Sequence, residues 1–431
     1  MRTLRLGLLG LGNVGSGVVR LLADNAAAIS ERLAGASVEV RRALVQNAEK
    51  PRLVDIPPAM LTTDPKAVLD DPEIDIVIEL IGGEEPARTY VLQAIAAGKH
   101  VVTANKALLA KHGEEIFAAA EARGVDLYYE ASVGGGVPII RALREGLASD
   151  RITELVGIVN GTSNYLLTAM TDEGRAFGEV LGEAQRLGYA EADPTLDVDG
   201  WDAAHKLCVL VPLCFGTRVD LDKLLVEGLR PIEAVDIRYA DRFGYVIKPL
   251  VIARDHGDSI EARVHPTLVP KRFLLASVNG VFNAVYVSSV ALGNSLYYGR
   301  GAGMMPTAVA VVSDVIEVSR NRMIAGGARL QHRDRGAGKR LRAPGELRSR
   351  YYLRFAVVDQ PGVLARIAGI LGNHDISISE VVQEGERSHD RPVGIVVTTH
   401  EALEANLQAA LAEIDALPVV KDRTRVLRIY T

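Results

Sequence analysis

The chain has few cysteines, no long hydrophobic run and no excess of positive charge. Its two cysteines, Cys208 and Cys214, lie on one apolar segment, a pattern that favours buried thiols over a disulfide or a metal pair. No apolar stretch is long enough to span a bilayer, and a net charge of −5 gives no reason to expect nucleic-acid binding. A paired Ser/His or Cys/His nucleophile motif is also missing. We therefore expect a reduced, cytoplasmic protein that binds neither membrane nor nucleic acid.

The composition is that of an ordinary multidomain globular protein. Its 431 residues are 48% hydrophobic and 24% charged, which suits about two to four domains. The apolar run from Leu6 to Leu11 superficially resembles a secretion signal. However, it is short, interrupted by glycines and without a small-residue cleavage site. The run is predicted to be a buried strand.

A glycine motif follows this first strand. Residues 4–10 lead into Gly10-x-Gly12-x-x-Gly15, and a helical pattern comes next. In that context the glycines let the backbone turn tightly and approach a pyrophosphate, whose charge meets the N–H groups at the helix start. The variable loop positions Asn13 and Val14 would donate from their backbone. The motif predicts a dinucleotide-binding domain.

The second strand bears on which dinucleotide binds. An acidic residue at the end of Val38 to Val45 would favour NAD, but Gln46 and Asn47 follow instead. Lys50 or Arg52 could pair with a 2′-phosphate. The pattern favours NADP and leaves NAD open.

Two further strands of the predicted parallel sheet end in polar or glycine residues. Ile74 to Ile81 is almost continuously apolar, as in a strand buried on both faces, and ends in Gly82-Gly83. The next strand brings Thr103 and Lys106 to the same carboxyl edge, where ligands bind in this architecture. Lys106 is either a surface charge or a residue of the nicotinamide site.

The segment from Gly188 to Lys206 gathers carboxylates ahead of one lysine. Asp202 and Lys206 stand four apart on a predicted helix and share a face. An exposed ion pair is the simplest interpretation, but the helix is so apolar that it is predicted to be buried, with Lys206 at a cleft. A lysine in such a place requires partners and can serve in proton transfer.

A third glycine cluster follows the predicted helix from Ala107 to Arg123. Gly134-Gly135-Gly136 can turn several carbonyls towards one point, and Glu130 could add a carboxylate to an all-oxygen cation site. A plain hinge between domains explains the same glycines.

The order of elements predicts an α/β protein of three units. A Rossmann-type nucleotide domain spans 1–138, and a glycine loop containing Gly303 opens a helix within 299–325. A mostly antiparallel α+β domain spans 139–298, and residues 326–349 are predicted to be an exposed basic linker. Residues 350–431 follow the β-α-β-β-α-β order of a ferredoxin-like domain.

These motifs together resemble one enzyme family. The run from Ala184 to Lys206 fits A-x3-G-Y-A-x2-D-P-x2-D-V-x-G-x-D-x3-K, the signature of homoserine dehydrogenases. The TANK run ending at Lys106 and the Asn160-Gly161-Thr162 loop fit that family too. Asp-x-Pro-Gly-Val-Leu, starting at Asp359, resembles the opening of ACT domains, which commonly sense amino acids and pair edge to edge.

The resemblance implies a monofunctional homoserine dehydrogenase with a C-terminal ACT domain. In this family the chain returns to the nucleotide domain at the Gly303 loop, so that domain would comprise 1–138 plus 299–325, with 139–298 as an insertion. The reaction would be the NAD(P)-dependent interconversion of homoserine and aspartate semialdehyde, in the biosynthesis of threonine, methionine and isoleucine, with inhibition by threonine. Catalysis would rest on Lys206 or Lys106, and substrate binding on Glu191, Asp197, Asp202 and Lys106.

The resemblance also implies the remaining ligand sites and the assembly. Cofactor contacts would come from Gly10, Gly12, Asn13, Val14, Gly15, Thr103, Lys106, Gly161 and Gly303. A sodium-type site would use the Glu130 side chain and the carbonyls of Val133, Gly135 and Val137. Sheet edges in the second and third domains offer pairing surfaces for a homodimer or homotetramer.

Two other hypotheses stay open on the sequence. One is a dehydrogenase of another amino or hydroxy acid joined to the same regulatory module, which would need an Arg/Glu/His catalytic set. The other is a non-catalytic amino-acid sensor, which would predict loss of a lysine or of the glycines. Lys106, Lys206 and the three glycines of the loop are all present.

Overall fold

The computed structural model describes residues 2–323, 338–383 and 392–431. The chain forms the predicted α/β fold, with a Rossmann-type domain, an inserted sheet domain and a C-terminal ferredoxin-like domain. Within these ranges no helix is both long and apolar enough to cross a membrane.

The first domain is built on a parallel sheet. Its elements in chain order are β1 (Thr3–Leu9), α1 (Asn13–Asp24), α2 (Ala26–Arg32), β2 (Ser37–Leu44), β3 (Leu61–Thr62), α3 (Lys66–Leu69), β4 (Ile76–Glu79), α4 (Ala87–Ala96), β5 (His100–Thr103), α5 (Lys106–Arg123) and β6 (Leu127–Tyr128). The strand order is β3-β2-β1-β4-β5-β6, and every pairing is parallel. The order reverses between β1 and β4, which is where this architecture binds its ligand.

The centre of the sheet is covered on both faces, which explains the apolar run of β4. All residues of β4 are buried, including Glu79 at its end. One core joins Leu6 and Leu8 to Val18 of α1, and a second joins Leu9 and Val77 to α4 and α5. Strands buried on both sides lose the apolar/polar alternation.

The second domain interleaves helices with long strands. Its elements are α6 (Ile139–Arg141), β7 (Ile152–Ile158), α7 (Gly161–Glu173), α8 (Phe177–Arg186), α9 (Thr195–Val198), α10 (Trp201–Phe215), β8 (Leu225–Val226), α11 (Ala234–Arg242), β9 (Tyr245–Asp255), β10 (Ser259–Pro270), β11 (Phe282–Ser289) and β12 (Gly293–Arg300). The order β12-β11-β7-β9-β10 is antiparallel throughout. The chain then returns to the first domain in α12 (Met304–Met323), whose Ala308 and Val311 pack in the same core as Val18 of α1.

The linker contributes a short strand, β13 (Arg340–Leu341). The C-terminal domain comprises β14 (Arg348–Val357), α13 (Val363–Asn373), β15 (Ile378–Gln383), β16 (Val393–Thr399), β17 (Ala402–Leu403), α14 (Glu404–Asp415) and β18 (Val420–Ile429). Its four main strands lie in the order β18-β14-β16-β15. Helices α13 and α14 cover one face through a core that includes Ile367 and Leu407.

The second and third domains share one sheet. Strand β18 pairs with β10 in parallel, Thr267 opposite Arg428 and Leu268 opposite Ile429, so one mixed sheet runs from the second domain into the C-terminal domain. Much of the predicted linker lies outside the described residues. From Gly338 onward it is not a free tether, because β13 pairs with β10 and Lys339 forms an ion pair of 2.6 Å with Asp255.

Candidate active site

The glycine loop has the geometry of a phosphate cradle. Gly10 has a φ of +105°, and a Cβ on Gly15 would lie 2.5 Å from the Gly10 carbonyl oxygen. A Cβ on Gly12 would meet nothing within 4 Å. The first bond of α1 runs from Ser16 N–H to the Gly12 carbonyl, which leaves the amides of residues 13–15 for a ligand. The loop therefore fits a dinucleotide pyrophosphate.

Arg52 lies between the end of the second strand and this loop. Its guanidinium donates to the Asn47 carbonyl and, at 3.5 Å, to the Leu11 carbonyl. Its buried Nε has no hydrogen-bond partner in the structure. The position of this guanidinium beside the loop suits a 2′-phosphate.

At the ends of β4 and β5, polar side chains order the backbone. The Thr103 hydroxyl donates to buried Glu79 at 2.6 Å, and Glu79 also accepts the amides of Ile81 and Gly82. Asn105 caps α5 by accepting the Leu108 amide. The first residue of that helix is Lys106, which is thereby aimed at the second domain.

Asp202 joins the two lysines. Lys206 Nζ lies 2.6 Å from Asp202 Oδ2 and donates also to the Val159 carbonyl at 2.6 Å. Lys106 Nζ lies 3.1 Å from Asp202 Oδ1. The Lys206 side chain is 12% exposed, whereas that of Lys106 is 40% exposed. The cluster thus spans the cleft between the first two domains, as neither lysine could do alone.

Asn160, which precedes the glycine of the predicted nicotinamide loop, fixes a second carboxylate beside Asp202. Its Nδ2 donates to Asp197 Oδ1 at 2.6 Å and to Asp202 Oδ2 at 2.7 Å, while its Oδ1 accepts the Ser163 amide and caps α7. The bridging role of this side chain escaped the sequence analysis. A cap residue directly after a buried strand was the available signal.

The charged groups of the cluster shift one another's pKa values. Burial favours the neutral form of Asp202, but the two lysines outweigh it and hold the pKa of this carboxyl far below its usual range. The charge of Asp202 raises the pKa of Lys106. Burial and the proximity of Asp202 leave the pKa of Asp197 above its ordinary value.

The other acidic residues of this segment have different surroundings. Glu191 is exposed, but near enough to Lys106 to act on its charge. Asp193 accepts the Thr195 amide and shapes the turn before α9, and Asp199 pairs with Arg230 at 2.6 Å. His205 is partly buried, which lowers its pKa and favours the neutral ring.

The Glu130 loop packs against the start of α12. Both carboxylate oxygens of Glu130 accept backbone amides, of Ile140 at 2.9 Å and Arg141 at 2.8 Å. The Gly136 amide donates to the Arg300 carbonyl at 2.9 Å, and Gly303, with a φ of +119°, follows. The Val137 carbonyl accepts the Ile139 amide. Across the described ranges no group of three or more His, Cys, Asp or Glu side chains could hold a metal, so a cation here would depend on carbonyls.

The chemistry available at this cleft is proton transfer beside a nicotinamide. A dinucleotide laid across the switch point of the sheet would place its ring near the lysine–aspartate cluster, as hydride transfer from an alcohol requires. The fold and the site thus define a nicotinamide-dependent oxidoreductase.

Comparison with known proteins identifies the family. Residues 138–316 match the model for homoserine dehydrogenase, residues 10–130 that for the homoserine dehydrogenase NAD binding domain, and residues 351–419 that for the ACT domain. Homoserine dehydrogenase of Synechocystis sp. is 47% identical over 440 residues, 100% of both chains. That of Bacillus subtilis is 43% identical over 429 residues, 100% of this chain and 99% of the relative.

Solved structures agree. The crystal structure of a homoserine dehydrogenase from Thiobacillus denitrificans superimposes with a TM-score of 0.92 at 48% identity, covering 100% of this chain and 99% of that one. The chain belongs to the homoserine dehydrogenase family, with an NAD-binding domain and an ACT domain, and is an NAD(P)-dependent oxidoreductase.

Proposed function

We propose that the protein interconverts L-homoserine and L-aspartate 4-semialdehyde. The observation that carries this proposal is the Lys106–Asp202–Lys206 cluster at the cleft between the two domains. Oxidation of an alcohol releases a hydride from carbon and a proton from oxygen. A bound nicotinamide supplies the hydride acceptor, and the chain must manage the proton.

Lys206 is the proposed proton-transfer group. Two acceptors, Asp202 and the Val159 carbonyl, fix its amine in one position, as a shuttle to the substrate oxygen requires. Lys106 is the competing candidate. Asp202 raises the pKa of Lys106 and so favours its charged form, which suits stabilisation of negative charge on the substrate oxygen.

Asp197 and Glu191 are the proposed partners of the substrate ammonium. Asn160 engages Asp197 at Oδ1, and the second oxygen can accept a charged donor. Exposed Glu191 adds negative charge at the mouth of the cleft. Homoserine would thus be held at its amino end while its hydroxyl meets the lysines.

The proposed cofactor is NADP, with NAD as an alternative. The pyrophosphate would rest on the amides of Asn13, Val14 and Gly15, and Arg52 would meet the 2′-phosphate. Gly161 and Gly303, which open α7 and α12, would flank the nicotinamide end. Thr103 would act indirectly, because its bond to Glu79 orders the sheet edge where the cofactor is expected to lie.

The preference for NADP over NAD can be tested with the Arg52→Ala variant. Loss of a charge-assisted bond should raise KM for NADP about 10-fold or more and leave KM for NAD nearly unchanged. Lys50→Ala tests the other candidate for the 2′-phosphate, and Arg20→Ala, which removes an exposed arginine of α1 paired with Asp24, is the matched control. Equal effects of Arg52→Ala on the two cofactors would refute the assignment.

The activity itself can be tested by nicotinamide absorbance. Homoserine should drive reduction of NADP or NAD, and aspartate semialdehyde should drive the reverse reaction. No turnover with either cofactor in either direction would reject the proposed reaction and favour the amino-acid sensor.

Regulation, place in metabolism and assembly are further proposals. The ACT domain supports an amino-acid effector, with threonine as the first compound to try, in a cytoplasmic route to threonine, methionine and isoleucine. A monovalent cation at Glu130 and the carbonyls of Val133, Gly135 and Val137 would stiffen the loop against α12. Dependence of activity on sodium would support it.

A homodimer or homotetramer is proposed from the free sheet edges. Strands β12 and β15 end the long strand path, and β12 exposes Leu296 and Tyr298. Unpaired strand edges of this kind invite pairing with a second copy. Sedimentation showing only monomer at micromolar concentration would contradict this.

A further inference from the structure

A short segment after β8, residues 227–230, touches both the C-terminal domain and the catalytic turn. It leaves the sheet where the Glu227 amide donates to the Val264 carbonyl of β10 at 2.8 Å. Its neighbours on the other side are the residues between α9 and α10. No motif in the sequence singled it out.

On the C-terminal side the segment is hydrogen-bonded to a buried arginine. Arg428 of β18 is 1% exposed and donates to both oxygens of Glu227, at 2.7 and 2.9 Å. The same guanidinium donates to Glu404 of α14 at 2.7 and 2.9 Å. Glu404 also accepts the Tyr351 hydroxyl at 2.9 Å. A planar guanidinium bound at both edges fixes Glu227 in orientation as well as position.

On the catalytic side the segment is in direct contact with the turn. The Leu229 amide donates to the Val198 carbonyl at 2.7 Å. A Cβ on Gly228 would lie 2.6 Å from both Asp199 Cα and the Val198 carbonyl oxygen. Arg230 clamps Asp199 through Nε at 2.6 Å and Nη2 at 3.3 Å. The backbones are too close for one to move without the other.

The turn that this segment contacts carries Asp197 and Asp202, the carboxylates proposed to act on the substrate. Asp197 precedes Val198, and Asp202 follows Gly200 by two residues, in the first turn of α10. Asn160 bridges their carboxylates. A displacement at residues 198–199 would therefore alter the spacing of Asp197 and Asp202, while the glycine loop lies in another domain.

We propose that Glu227 and Arg230 are positioning residues, and that the C-terminal domain holds the substrate-binding turn in register through the Arg428–Glu227 contact. This inference rests on the proposed function. It assigns the effect to homoserine binding and turnover, and not to the binding of the dinucleotide.

The test compares Glu227→Gln and Arg230→Gln with wild type. Each should lower kcat/KM for homoserine about 10-fold, because sub-ångström misplacement of reacting groups is costly, while KM for the dinucleotide stays at the wild-type value. Arg230→Lys, which keeps the charge, should recover part of the loss. Arg348→Gln is the matched control, since it breaks an exposed ion pair of 2.7 Å with Glu401 in the same C-terminal domain.

The outcomes separate the inference from the function. Wild-type kcat/KM for homoserine in both variants would overturn the inference, and so would equal losses towards homoserine and dinucleotide. If Glu227→Gln unfolds, Glu227→Asp, which keeps the charge but shortens the reach to Arg428, replaces it and should show the same selective loss. Arg230→Gln tests the contact with Asp199 in either case, because Arg230 is exposed and outside the buried ionic core. An inactive wild type would refute the proposed function and the inference with it. An active wild type with unaffected variants would refute only the inference.

Discussion

At the scale of single residues, Asp202 decides the electrostatics of the site. One buried carboxylate faces two ammonium groups and an amide, and their combined attraction exceeds the cost of its burial. The sequence could predict Asp202 beside Lys206, because four residues on a helix place side chains on one face. It could not predict that Lys106 meets the other oxygen or that Asn160 bridges to Asp197. Those contacts join residues from three distant segments.

Replacing Lys206 by Ala should abolish most turnover. Loss of a positioned acid–base group costs about 10²–10⁴-fold in kcat, whereas dinucleotide binding should persist because the glycine loop is untouched. Absorbance assays and cofactor titration measure the two effects. Lys111→Ala, which removes a lysine of α5 paired with Glu84, should stay near wild type. A fully active Lys206→Ala protein would transfer the role to Lys106.

Replacing Asp202 by Asn should destabilise the fold in a pH-dependent way. The folded pKa of Asp202 is below the unfolded value of about 3.9. Its ionised form therefore stabilises the protein above that value, and the benefit is lost as pH falls through the folded pKa. The difference in unfolding free energy between wild type and variant should be largest near neutral pH and shrink on acidification. Urea titrations at several pH values measure it, and a constant difference would contradict the assignment.

At the scale of elements, the glycines of the loop have two different roles. One allows close packing within the fold, and the other leaves space for a ligand. Gly15 has no room for a Cβ because of the Gly10 carbonyl, whereas Gly12 has open space on the side where a ligand would approach. The pattern Gly10-x-Gly12-x-x-Gly15 could be found in the sequence. Which glycine serves the fold and which serves the ligand depends on backbone geometry.

Substituting these two glycines should have different results. Gly12→Ala should leave the melting temperature near the wild-type value and weaken dinucleotide binding, because its methyl group would occupy ligand space. Gly15→Ala should lower the melting temperature and the affinity together, because the loop must open to relieve the clash. Thermal melts with and without dinucleotide compare the two. Similar behaviour of both variants would refute this division of roles.

Apolar runs predicted the buried strands of the first sheet, as in Ile76, Val77 and Ile78 of β4. Strand β10 shows where that approach fails. Its polar residues Glu261, Arg263 and His265 alternate with apolar ones, as in a strand with one face in water, yet all three are buried. Arg263 donates to Ser349 of the C-terminal domain at 2.9 Å. The alternation of polar and apolar residues shows that one face of a strand is polar. It does not show whether water or another domain covers that face.

At the scale of the whole molecule, the C-terminal domain is structurally part of the second domain. Besides the β10–β18 pairing, Asp236 of α11 accepts the Tyr352 hydroxyl at 2.9 Å and Arg354 at 2.6 Å. The sequence predicted the ferredoxin-like order correctly, because the order depends on local patterns. The docking could not be predicted, since it depends on a few buried polar pairs between segments more than a hundred residues apart.

Ending the chain at residue 337 should therefore damage the enzyme core. The truncation would expose the edge of β10 and leave Glu227, Arg263 and Asp236 without their C-terminal partners. We expect a clear fall in melting temperature, and aggregation through the bared strand. Calorimetry and light scattering would measure both effects. A truncated protein as stable as the full chain would contradict this account.

Strand β18 has a consequence for how the protein is made. It is the last strand in the chain, yet it lies inside the sheet between β10 and β14. Because the ribosome makes the N-terminal end first, more than a hundred further residues are synthesised after β10 before β18 emerges. During that interval Thr267 and Leu268, the β10 residues that pair with β18, lack that partner strand, and an unpaired strand edge in a nascent chain favours aggregation.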